Sequence, residues 1–160
     1  MKQSLGKSLI ALSASLVLVG LLLPMQAEAQ GRYRGKRYSK SDVDRIIKRV
    51  ETNSDEFKDA FDKALDRSRL DGSSLEDQLN RQVKQFESEL DDLRDEFDKH
   101  DSWWETRDNV QEVRRQADEV NRLMRNVRMG AGVEAKWIAV RVDLNKLLGI
   151  YNLPLLKGVS

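Results

Sequence analysis

Residues 73–99 read SSLEDQLNRQVKQFESELDDLRDEFDK. Leu75, Leu79, Val83, Phe86, Leu90, Leu93 and Phe97 recur there at steps of three and four. That period gathers all seven side chains on one face of an α-helix. Ser73-x-x-Glu76 has the form of a capping box and fixes the start. A helix with a single apolar stripe must bury that stripe against another element.

Three further stretches offer the needed partners. Before the quoted segment, Val43, Ile47, Val50, Ser54, Phe57, Phe61, Ala64 and Ser68 keep heptad spacing, with Ile46 and Leu65 widening the stripe. This first helix should start at Ser39 or Ser41, where Ser41-x-x-Asp44 resembles a capping box. Asn53-Ser54-Asp55 is a place for a kink or restart, because such side chains compete for backbone hydrogen bonds. Leu70-Asp71-Gly72 makes the turn. After the quoted segment, Ser102-x-x-Glu105 opens a third helix with Val110, Val113, Ala117, Val120, Met124 and Val127 on its stripe. Gly130 and Gly132 punctuate the next turn. The fourth helix carries Val133, Trp137, Val140, Leu144, Leu147 and Tyr151 and ends near Asn152, ahead of Pro154. Connections this short make sequential helices antiparallel. The pattern predicts an all-α fold, an up-down-up-down four-helix bundle over residues 41–152 with a tail at 153–160.

Residues 1–29 have the layout of a secretory signal peptide. Lys2 and Lys7 precede an apolar run from Leu9 to Leu23, Pro24 breaks it, and Ala27-Glu28-Ala29 suits a cleavage site. The competing reading is a membrane anchor, but a helical span needs about 20 apolar residues and this run is shorter. The expected location is therefore exported, periplasmic or extracellular. With no cysteine in the chain, an exported form would rely on its apolar core alone.

The chain holds 28 basic and 27 acidic residues. Setting aside Lys2, Lys7 and Glu28 leaves 26 of each. Five of those basic residues, Arg32, Arg34, Lys36, Arg37 and Lys40, fall within residues 30–40, where there is no acid. The remainder then holds 21 basic against 26 acidic residues. A basic flexible arm suited to weak contact with an anionic membrane surface thus precedes an acidic body. An acidic body argues against specific nucleic-acid binding.

The search for chemistry returns little. There is no cysteine, no G-x-S-x-G elbow and no phosphate-binding glycine motif, and His100 is the only histidine. A di-iron bundle centre needs two Glu-x-x-His motifs, and Glu96 stands four residues before His100. Asp91 and Asp92 point apart on a helix and make poor acid/base partners. The expectation is a non-enzyme without a cofactor. Trp103 and Trp104 follow a loop, so a small-ligand or metal carrier built on His100, Trp103 and Trp104 is the alternative reading. Arg107 and Arg141, each four residues after a tryptophan, are placed to stack on Trp103 and Trp137. Faint echoes at offsets of 36 and 34 residues fit either an internal duplication or the mutual likeness of charged heptads.

The fourth helix has a second apolar face. Ile138 and Val142 lie nearly opposite its core stripe, and Ile150 lies off it. Leu153, Leu155 and Leu156 follow closely. These six residues form the candidate interaction surface. Its cover is the tail itself, a second copy in a homodimer, or a partner protein or envelope component. The run Leu65 to Gly72, the pattern Trp137-x-x-x-Arg141-x-x-Leu144-Asn145 and Tyr151 resemble uncharacterised bacterial exported helical proteins over about residues 40–152. That resemblance implies an envelope location and brings no catalytic residue. The expected function is an exported, non-enzymatic binding or structural module.

Overall fold

The computed structural model describes residues 38–158, with the backbone alone at 32–33 and 36–37. The expected signal peptide lies outside the described residues. Two short strands, β1 (Arg32–Tyr33) and β2 (Lys36–Arg37), pair antiparallel with Arg32 opposite Arg37 and Tyr33 opposite Lys36. Four helices follow: α1 (Lys40–Leu65), α2 (Ser74–Lys99), α3 (Arg107–Asn126) and α4 (Ala131–Ile150). A 3-10 turn, Trp103–Thr106, precedes α3. Sequential helices are antiparallel, and the closest pairings are α1 with α4 and α2 with α3. The fold is an all-α four-helix bundle.

Nearly every stripe residue is buried. Phe57, Phe61, Phe86, Leu93, Val110, Val113, Ala117, Trp137, Leu144 and Leu147 are almost wholly withdrawn from solvent. Leu75 departs from its stripe, being 43 % exposed, because it lies in the first turn of α2 beyond the reach of the other helices. Ser68 lies outside α1, which ends at Leu65. Val127 is only half-buried, as the residue that ends α3.

The helix starts are where local chemistry differs most from expectation. Of the two expected starts of α1 the cap is Ser39, and the capping box pairs it with Asp42 rather than Ser41 with Asp44: the Ser39 hydroxyl accepts from the Asp42 amide, and Asp42 accepts from the Ser39 amide at 3.0 Å. This reciprocal pair satisfies two amides that have no partner within the helix. Ser73 caps α2, but Glu76 reaches past it to the Gly72 amide at 2.6 Å. Ser102 makes no capping bond. Glu105 turns instead to His100 Nδ1 at 2.9 Å, and the Thr106 hydroxyl donates to the Trp103 carbonyl at 2.9 Å, which tightens the chain into the 3-10 turn.

α1 runs without interruption through Asn53-Ser54-Asp55. The Asn53 amide group does not compete for its own backbone; it donates to Asp143 on α4 at 3.0 Å. Lys40, expected at the end of the arm, is the first residue of α1. Its ammonium donates to the His100 carbonyl at 2.5 Å and lies 5.2 Å from the Phe97 ring centre. That bond joins α1 to the end of α2.

One ion cluster ties α1 to α2. Arg94 grips both oxygens of Glu51 at 2.9 and 3.0 Å and reaches Asp44 at 2.8 Å. Those bonds, led by the one to Glu51, hold the guanidinium charged more firmly than usual although it is partly buried. Phe61 is fully buried against Phe57, so Phe61→Ala would open a cavity in the core. It is expected to cost about 3–5 kcal/mol in chemical denaturation while leaving the helical circular dichroism spectrum intact.

Candidate interaction surface

α4 differs from the other helices in being apolar on two faces. Gly130, at φ +89°, turns the chain into it, a conformation that costs an L side chain strain. Its far end closes with a Schellman motif. The Leu153 amide donates to the Leu148 carbonyl at 2.9 Å and the Asn152 amide to that of Gly149 at 3.4 Å. Asn152 takes the left-handed position at φ 52°, a role asparagine fills after glycine. Leu153 and Leu148 are both buried, as the motif's hydrophobic contact requires.

The chain then doubles back as an extended strap. Asn145 on α4 holds it by both backbone groups of Leu156: its carbonyl oxygen accepts from the Leu156 amide at 2.8 Å, and its amide donates to the Leu156 carbonyl at 3.3 Å. Arg114 on α3 donates to the Pro154 carbonyl at 2.7 Å, and Asn121 to the Lys157 carbonyl at 3.2 Å. Donors on both helices grip the strap, so it fills the seam between α3 and α4. Leu153 and Leu156 plug that seam and are 7 % and 4 % exposed.

The six candidate surface residues therefore divide. Ile150, Leu153 and Leu156 are buried within the chain. Ile138, Val142 and Leu155 remain 52 %, 50 % and 50 % exposed. Val142 and Leu155 border an open groove of about 330 Å³ lined by Tyr38, Ile46, Val142, Asn145, Lys146, Ile150 and Leu155. The groove lies between the start of α1, the outer face of α4 and the strap. Among the charged arm residues, Arg34 lies outside the described residues, and Arg32, Lys36 and Arg37 are described in backbone only. β1 lies near α4, and Tyr38, which follows β2, lines the groove.

Electrostatics on the α1 side of the groove centre on Asp143. It accepts from Lys146 at 2.8 Å, from Asn53 at 3.0 Å and from Arg49 at 3.4 Å. Burial alone would raise its pKa, but the Lys146 hydrogen bond and the charges of Lys146 and Arg49 outweigh it and hold the carboxyl below the usual range.

The end of the bundle where α1 starts and α4 finishes, next to the groove, is packed by aromatic rings. Trp103 meets Trp104 and Tyr151 edge-on at 5.6 and 5.0 Å, and Trp104 stacks on Tyr151 at 5.9 Å. The Trp103 indole donates to the Tyr38 carbonyl at 3.1 Å, and the Tyr151 hydroxyl to the Trp103 carbonyl at 2.8 Å. Burial pushes the Tyr151 phenol well above its ordinary pKa. His100 caps α2 and lies between Glu105 and Glu96, at 2.9 and 3.5 Å. Among the described residues no three His, Asp or Glu side chains converge as a metal site. Arg107 stacks on Trp104 at 5.9 Å rather than on Trp103. Trp137 is enclosed by Phe57 and Phe86, at 5.0 and 5.7 Å, and Arg141 forms no stack on it.

Sequence reasoning missed the polar residues that do the fastening: Arg114, Asn121 and Asn145. Asparagine at position 121, beside the stripe residues Ala117, Val120 and Met124, was the available signal. Asn145→Ala should release the strap, lower stability by about 1–2 kcal/mol and speed tryptic cleavage after Lys157. Asp143 ionises more readily in the folded chain than in the unfolded one. Its contribution to stability is thus full above the unfolded carboxylate pKa of about 4 and lost as pH falls through the lower folded value. Asp143→Asn should flatten that part of the acid-unfolding curve. Comparison of the chain with protein-family models, with curated proteins and with solved structures gives no match.

Proposed function

We propose that this chain is an exported, non-enzymatic helical module that docks a protein or envelope component on the outer face of α4. The observation that carries this reading is the half-exposed pair Ile138 and Val142, one turn apart on α4, beside an open groove that Val142 and the half-exposed Leu155 line. Single exposed apolar residues are ordinary, but an adjacent pair that continues into an apolar groove is the mark of a contact surface. Among the described residues Leu75 is the only other large apolar side chain so exposed, and it stands alone on α2. The layout of residues 1–29 supports export, to the periplasm or beyond the cell. The basic residues of the arm support a weak, salt-sensitive contact with anionic membrane, at about 1 kcal/mol per charge.

A carrier of a small ligand or metal at His100, Trp103 and Trp104 is the less favoured reading. The rings there pack on one another, and His100 is engaged by two glutamates.

The test is Ile138→Lys combined with Val142→Lys. Both sites are half-exposed, so the variant should keep its helical spectrum and its melting temperature. It should lose the cross-linked adducts that the parent forms in the envelope. Adducts that persist unchanged would rule out this face as the docking surface.

A further inference from the structure

The exposed side of α4 carries a heptad stripe of its own. Ala131, Ala135, Ile138 and Val142 follow one another at steps of four, three and four, and all four are exposed. Such a stripe is a seam for one more helix. Large and small residues are segregated along it, with the two alanines at the start of α4 and isoleucine and valine further on. A helix laid alongside in the same direction would set isoleucine against isoleucine and alanine against alanine. A copy of α4 laid in the opposite direction can set each large residue against a small one.

The charges on the edge of the stripe point the same way. Glu134 and Arg141 each stand one residue before a stripe position and seven residues apart, so they share one edge. Glu134 is exposed and has no ion-pair partner among the described residues. Arg141 is half-buried near Gly158, its Nε is buried without an acceptor, and no carboxylate among the described residues pairs with it. A two-fold axis across the seam returns each edge to the same side, so Glu134 of one chain and Arg141 of the other meet on a common flank.

We propose that the outer face of α4 binds a second copy of this chain, α4 against α4 and antiparallel, about a two-fold axis near residues 136 and 137. This rests on the reading that the face is a docking surface, and it names the occupant. Ile138 packs on Ala135 of the second copy and Val142 on its Ala131, and Glu134–Arg141 pairs form twice. The alternative antiparallel register, Ile138 on Val142, puts large side chains against each other and brings the two Arg141 side chains together, so it is disfavoured. The interface is isologous and closes as a dimer. One helix face from each copy buries an area at the low end of specific interfaces, so the dimer forms reversibly with concentration.

The test uses the chain as recovered from the exporting cell. Sedimentation equilibrium should show a monomer–dimer equilibrium. Glu134→Arg and Arg141→Glu should each weaken it by about tenfold or more, and the two together should restore it. The chain has no cysteine, so introduced thiols report the register cleanly. A mixture of Ala135→Cys and Ile138→Cys chains should form the mixed disulfide faster than a mixture of Ile138→Cys and Val142→Cys chains. Monomer at every concentration, or a double charge reversal that restores nothing, overturns the proposal. Monomer together with loss of envelope adducts in the Ile138→Lys, Val142→Lys variant would overturn the second copy and leave the docking surface standing. Monomer with adducts unaffected would remove both.

Discussion

Everything at the middle of this bundle turns on one buried indole. Trp137 sits between Phe57 of α1 and Phe86 of α2, and its N–H must find an acceptor where water does not reach. Asn121 of α3 provides it at 2.7 Å. An indole N–H buried without an acceptor would cost about 1–3 kcal/mol, a large share of the stability of a small domain. The acceptor is itself an amide, and its other end holds the Lys157 carbonyl. One side chain thereby fixes the relative height of α1, α2, α3 and α4, and the relay through Asn121 extends that constraint to the strap.

The aromatic end imposes a second constraint of the same kind. Tyr151 brings a hydroxyl into a buried setting, where the Trp103 carbonyl accepts its proton and the Thr106 hydroxyl lies 2.8 Å away. An ordinary α-helical start at Ser102 would not offer that pair of partners. The 3-10 turn is the geometry that presents them while keeping Trp103 and Trp104 against the phenol. Polar satisfaction, more than helix propensity, decides the path of the chain there.

How much was legible follows from this. The stripes of Phe57, Phe86, Val113 and Leu144 are periodic, and periodicity alone was enough for four helices and their antiparallel order. The exposed positions of Ile138 and Val142 were legible for the same reason, since they stand opposite the core stripe. The burial of Leu153 and Leu156 was not legible, because it depends on the strap doubling back, which no local pattern encodes. The strap's fasteners, Asn145 and Arg114, look in sequence like any solvated residue. Ser39 was one of the two caps legible for α1, but the choice between it and Ser41, and the Glu105–His100 contact, escaped because several residues of suitable chemistry stood close together and only packing chose among them.

The strap carries a consequence for how the fold is completed. Residues 153–158 come after all four helices in the chain, and a polypeptide is made in that order. Until they arrive, the seam between α3 and α4 has no plug, and the polar groups of Asn121, Asn145 and Arg114 lack their backbone partners. A chain whose synthesis has not reached the strap would therefore present an apolar cleft, which the arrival of Leu153 and Leu156 closes.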